Sequence, residues 1–260
     1  MEFNHSFWDT MAERYPHYDD PAMQKDVQRV LAWAKSQGLD FNGRSLLDIG
    51  CGTGTVSIPL ALEKARVTAI DLSRGMLDAL KSDAEALNLC DYLTSYQSDW
   101  ESFPLTQTFD IVLASMTPAI SQEIHIDKMI SATHAMGLYV GWGRYKTNAF
   151  LEALMQAHDA PEKMSGGCIK VADFMHYLDT KELAYSYEFF TTAWEETYTY
   201  DEAKTYAAEQ LARKNLSPDE RKVDAIIRDF MHDGTVKIET QAEKGMVLFS
   251  KYPSTCPKHT

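Results

Sequence analysis

Residues 45–54, Ser-Leu-Leu-Asp-Ile-Gly-Cys-Gly-Thr-Gly, constrain this chain more than any other stretch. Leu46, Leu47 and Ile49 read as a buried strand. Gly50, Gly52 and Gly54 follow at once, and Val56, Ile58, Leu60, Ala61 and Leu62 open a helix. Strand, glycine turn and helix in that order predict a nucleotide-binding crossover in a parallel sheet. The glycines allow a sharp turn without a Cβ clash and let a ligand lie against bare backbone. Pro59 falls in the first turn of the helix, where a missing N–H is tolerated.

The spacing narrows the ligand. A dinucleotide fingerprint asks for glycine or alanine at the sixth position of G-x-G-x-x-G. Here that position is Thr55, and the third glycine comes one place early, at Gly54. Asp48 stands two residues before Gly50. The pattern apolar–Asp–apolar–Gly-x-Gly-x-Gly resembles the first motif of class I S-adenosylmethionine-dependent methyltransferases. Further on, Val67-Thr68-Ala69-Ile70 reads as a short strand ending in Asp71, 21 residues after Gly50. An acidic residue at that spacing accepts hydrogen bonds from ribose hydroxyls. Asp71 could instead cap the next helix, but Ser73 fits that role better.

The resemblance covers residues 45–142 and, loosely, a C-terminal hairpin. It implies an α/β, three-layer, Rossmann-like fold. The sheet would be seven-stranded and mostly parallel, with an antiparallel C-terminal strand, and the cofactor would be S-adenosylmethionine. Asp99 follows a predicted strand at 92–97. It occupies the place of the family's acidic residue that accepts from the adenine amino group, with Trp100 packing on the ring; a loop cap is the plain alternative. Met76 is similar to adenine-side residues. Trp8-Asp9, Ala12 and Tyr15 are similar to a W-D-x-x-A-x-x-Y lid, whose aromatic faces suit a sulfonium cation. Phe109–Ala114 reads as a strand running into Ser115-Met116-Thr117-Pro118, where the family's methyl group and acceptor meet. The resemblance thus implies a donor site of Tyr15, Asp48, Gly50, Cys51, Gly52, Gly54, Asp71, Leu72, Met76, Asp99, Trp100 and Ser115, with no metal. His125 and His134 are the candidates for a general base, needed only if the acceptor must lose a proton.

The whole chain of 260 residues is expected to be one methyltransferase domain. A helical cap would span 1–40 and the cofactor-binding core 41–145. A helical pair at 201–234 would be inserted in the hairpin of strands 184–199 and 245–252. That pair is expected to cover the acceptor pocket or to form a homodimer interface. A formal net charge of −13 argues against duplex nucleic acid and anionic membrane as partners. No run of 18 apolar residues predicts a membrane span. The N-terminus carries no basic or apolar signal, so a cytoplasmic location is expected. Cys51, Cys90, Cys168 and Cys256 are scattered, and the eight histidines lack ligand spacing, which disfavours a disulfide framework or zinc site.

The expected function is methyl transfer to a small-molecule acceptor. Rival readings are a non-catalytic binder of the same fold and a nucleic-acid or protein methyltransferase. In enzymes that methylate planar amines, the fourth strand ends in an Asn/Asp-Pro-Pro-aromatic turn. Ser115-Met116-Thr117-Pro118-Ala119 lacks that grip. Trp142, Tyr145 and Tyr15 are the expected aromatic walls for an organic acceptor, and Arg144 the expected contact for an anionic substituent.

Overall fold

The computed structural model describes residues 5–160 and 167–251. Among these the chain forms two compact units: 5–143, 167–189 and 244–251 in the first, 144–160 and 190–243 in the second. The elements follow in chain order. They are α1 (His5–Ala12), α2 (Pro21–Ser36), β1 (Ser45–Ile49), α3 (Ser57–Leu62), β2 (Arg66–Asp71), α4 (Arg74–Ala86), β3 (Leu93–Gln97), β4 (Phe109–Ser115) and α5 (Glu123–Ala132). Then come β5 (Thr133–Thr147), α6 (Ala149–Ala157), α7 (Val171–Thr180), β6 (Ala184–Tyr198), α8 (Tyr200–Ala212), α9 (Glu220–Phe230), β7 (Met231–His232) and β8 (Thr235–Ser250).

The sheet runs β3-β2-β1-β4-β5-β8-β6. β1 pairs in parallel with both β2 and β4, with Leu46 opposite Val67 on one side and Ile111 on the other. From β1 the chain winds outward through β2 and β3, then returns to place β4 on β1's other edge. Crossovers there leave in opposite directions, so a crevice opens at the carboxyl ends of β1 and β4. Leu47, Ile49, Ile70, Val112 and Ala114 join α5 and α7 in one core cluster. Their neighbours Leu46, Val67, Ala69, Ile111 and Leu113 alternate to the other face and are equally buried. Both faces are covered, which is why these strands read as continuous apolar runs.

The seven-strand path is the expected one, and the C-terminal strand is antiparallel. An eighth strand, the two-residue β7, joins antiparallel to β8 through Asp233-Gly234, both at positive φ (48° and 80°), as a tight hairpin turn requires. β8 begins ten residues earlier than the expected 245–252. Val236, Ile238, Thr240 and Ala242 are buried and alternate with exposed Lys237, Glu239 and Gln241. Such a period of two is the mark of a half-buried strand.

α7 was not expected from the sequence. It buries Val171, Phe174, Tyr177 and Leu178. Phe174 stacks on Tyr139 with ring centroids 4.1 Å apart, and the Tyr139 hydroxyl donates to Ile169 O at 2.5 Å. In the second unit α6, α8 and α9 gather around Phe150, Leu154, Leu211, Ile227 and Val236. Ala203 and Ala207, four residues apart on α8, let its neighbours approach closely. α9 is capped by Asp219, which accepts from Arg221 N and Lys222 N.

Candidate functional site

The turn after β1 is stitched to β2. Gly50 N and Cys51 N both donate to Ile70 O, at 2.8 and 3.0 Å. Gly50 has φ +67°, and a Cβ built on it would lie 2.0 Å from Thr117 Oγ1. The first glycine therefore lets the turn pass against the segment after β4. Gly52 is different: φ is +55°, and the nearest atom to its absent Cβ is Tyr15 Cε1 at 4.0 Å. Its backbone is bare toward the Tyr15 ring.

Asp71, at the end of β2, accepts from Gly52 N (Oδ2, 2.9 Å) and Ser73 N (Oδ1, 2.9 Å). An ionised carboxylate has about four lone-pair sites, so each oxygen keeps capacity for a ligand hydroxyl. Burial raises the Asp71 pKa. Ser73 caps α4, accepting from Met76 N at 3.1 Å as expected. Met76 itself is buried, and Leu72 O accepts from Gln97 Nε2 at 3.2 Å.

Asp48 is fully enclosed in β1 and accepts from Ser57 Oγ at 2.5 Å. Burial, with the Asp71 charge adding to it, pushes its pKa up from 3.8 to about 7. Between those values the folded chain holds a proton that the unfolded chain has released. Stability from Asp48 is therefore fully present below pH 3.8 and is lost as pH rises through about 7. Asp48→Asn, which does not titrate, should flatten the fall in unfolding free energy across that window. Urea titrations at the two ends check it.

The N-terminal segment is held over this turn by a set of bonds that the sequence did not announce. Asp9 accepts from Ser73 Oγ (2.6 Å) and Gly75 N (2.9 Å). Thr53 Oγ1 donates to Pro16 O at 2.6 Å, and His17 Nδ1 lies 2.7 Å from Asp83 Oδ2. Tyr15 meets Trp8 edge-on, 6.5 Å between centroids, and burial together with the Asp71 charge raises its pKa. Asp9 follows Trp8 in the W-D-x-x-A-x-x-Y segment. Only the three-dimensional position of α4's first turn gives it a role.

Asp99 is exposed and caps the turn that follows β3, accepting from Ser102 N at 2.7 Å, with Phe103 N donating to Asp99 O at 3.1 Å. Trp100 is buried: its Nε1 donates to His125 O at 3.1 Å, and it stacks with Phe103. Ser115 ends β4. Met116 follows at φ +52°, with its N–H on Val140 O at 2.8 Å. A methionine in the left-handed region is uncommon, and such strain gathers at functional sites.

Neither histidine is placed as a base. His125 Nδ1 accepts from Ser121 N at 3.2 Å, so the ring proton sits on Nε2 and that nitrogen is a donor. Burial also lowers its pKa. His134 stands at the start of β5, at the opposite end of the sheet from the glycine turn. In the second unit, Arg144 donates from Nε and Nη2 to the buried Glu243 carboxylate, at 2.9 and 2.6 Å. Tyr145 belongs to that unit and Trp142 to the first. Among the described residues no group of three or more His, Cys, Asp or Glu could hold a metal ion. No helix among them is long and apolar enough to cross a membrane.

A doubly wound sheet, a glycine turn at its switch point and an acidic residue ending the next strand define a nucleotide-type site. Residues 46–136 match the family described as methyltransferase domain. Over this core the sequence is similar to methyltransferase domains of the class I S-adenosylmethionine-dependent kind. A release factor glutamine methyltransferase of Rhodopirellula baltica is 42% identical over 105 residues, 39% of this chain and 35% of its own length. The chain spans about a third of the length of the curated relatives it matches, 38%, 35% and 33% for three of them. Among solved structures, an S-adenosylmethionine-dependent methyltransferase from Thiobacillus denitrificans in complex with S-adenosylhomocysteine is 16% identical. It has a TM-score of 0.54, covering 96% of this chain and 100% of the other. Magnesium protoporphyrin IX methyltransferase from Synechocystis PCC 6803, with bound S-adenosylhomocysteine, is 17% identical. Its TM-score is 0.53, with coverage of 85% and 83%. Both likenesses are of fold.

Proposed function

We propose that the chain transfers a methyl group from S-adenosylmethionine to a small organic acceptor. The observation that carries this reading is the junction of Asp71, Gly52 and Tyr15. An acceptor-rich carboxylate, bare backbone and an aromatic ring meet at the crevice of the sheet. Those three suit ribose hydroxyls, a close-lying chain and a sulfonium respectively. The cofactor, when bound, supplies a methyl carbon already activated by positive sulfur. The protein's own residues then bind, orient and exclude water. Asp71 accepts from the ribose, Asp99 from the adenine amino group, and Tyr15 with Trp8 closes over the turn. Positioning of this kind is worth roughly 7–11 kcal/mol of barrier.

The acceptor is read from the end of β4. Ser115 is short, Met116 is apolar and Ala119 follows Pro118, so no polar side chain and aromatic ring grip a planar amine there. Methyltransferases of this fold act on small-molecule, protein and RNA acceptors, and this turn favours the first. With Arg144 bonded to Glu243, the acceptor need carry no carboxylate. Incubation with methyl-labelled donor and, separately, a metabolite extract, DNA, RNA and protein tests the reading. Label is expected in small molecules. Label in nucleic acid or protein alone overturns it, and donor binding with no transfer returns the non-catalytic alternative.

A further inference from the structure

Lys128, on α5, makes a contact that the sequence gives no hint of. Its ammonium donates to Trp100 O (2.6 Å), Glu101 O (2.8 Å) and Phe103 O (2.7 Å). All three of its donors are thereby spent on one turn, 99–103. The nitrogen also lies 4.7 Å from the centroid of the Trp100 ring. The same helix accepts the Trp100 indole N–H on His125 O, one turn earlier. The short turn after β3 leaves carbonyls without partners, and a cation at such an end is favourable. Here one ammonium serves three of them. Asp99 opens this turn, and its carboxylate oxygen is fixed by Ser102 N.

We propose that Lys128 is a positioning residue for the donor's purine: by tying down the 99–103 turn it sets where the Asp99 carboxylate stands. This rests on the donor site proposed above. An ionised carboxylate can only accept hydrogen bonds, so it suits the amino group of adenine and opposes the 6-oxo group of hypoxanthine, which also accepts. Burial raises the Asp99 pKa, but the hydrogen bonds from Ser102 together with Lys128 outweigh it and hold the carboxyl below its ordinary value.

The experiment compares S-adenosylhomocysteine with S-inosylhomocysteine by calorimetry on the full chain. Wild type should prefer the adenosyl ligand by about tenfold or more, the worth of one charge-assisted hydrogen bond. Lys128→Met should bring that ratio at least about threefold closer to one. In an Asp99→Ala background the same substitution should leave the ratio unchanged, because residues acting through one another are not additive. Asp71→Ala is the contrast: it should weaken both ligands alike and keep the ratio. Should Lys128→Met fail to fold, Lys128→Arg is measured instead. A planar fork cannot converge on three carbonyls, so the ratio should again fall. A folded Lys128 variant that keeps the wild-type ratio overturns the inference while leaving the donor site standing. Wild type that binds neither ligand overturns the donor site itself.

Discussion

Asp71→Ala is expected to weaken S-adenosylhomocysteine binding by ten- to hundredfold, about 1.5–3 kcal/mol. Two losses combine. The ribose hydroxyls lose a charged acceptor, and Gly52 N and Ser73 N lose the carboxylate that now aligns them. The second loss loosens the glycine turn that the ligand would lie against. Asp71→Asn separates them. Its one remaining oxygen can serve Gly52 or Ser73 but not both, and its amide hydrogens face hydroxyl donors less well. Asn should therefore fall between Ala and wild type. Calorimetry on folded variants reads this directly, and unchanged affinity in the alanine variant removes Asp71 from the site.

Gly50→Ala is expected to destabilise the chain by about 2–5 kcal/mol, the sum of left-handed backbone cost and overpacking. The new methyl would stand 2.0 Å from Thr117 Oγ1 and 2.8 Å from Thr117 Cβ. Thr117 is 4% exposed, and its hydroxyl accepts from Ala119 N, so it has little freedom to withdraw. Gly38→Ala supplies the comparison. Gly38 has φ +91° and nothing within 4 Å of its absent Cβ, so it carries the backbone cost alone. Urea midpoints for the two variants should differ by the packing part, and Thr117→Gly should recover much of it in the Gly50→Ala chain. Equal losses at both glycines mean that the approach to Thr117 costs nothing.

The legible parts of the sequence were those where one residue type answers one local demand. β1 showed as an apolar run because both its faces are covered, and Gly50 and Gly52 showed because their φ values exclude most other residues. Ser73 showed as a cap because capping is local. What stayed hidden depends on distant partners. Lys128 reads as an ordinary surface lysine until the 99–103 turn is seen beside it. Asp9 reads as a helix residue until α4 presents its first turn. Met116 has no local reason to adopt φ +52°. His125 and His134 read alike in sequence, yet one is fixed as a donor by Ser121 and the other lies at the far end of the sheet. The early half of β8 and all of α7 were legible in principle, by periods of two and of three to four. Asp219 caps α9 although Ser217, two residues earlier, is an equally good capping residue, so composition alone could not choose.

The bonds of the N-terminal segment carry a kinetic consequence. Asp9 spends two hydrogen bonds on α4, Thr53 one on Pro16 O and His17 one on Asp83, while Tyr15 stands against Gly52. On the proposed donor site, a ligand lodged at Gly52 would lie beneath that row of contacts, and the row belongs to the protein, not to the reaction. Were that row to open for each exchange of ligand, release would have a clock of its own, set by how often a latch of four bonds lets go, and a faster methyl step would leave that clock unchanged.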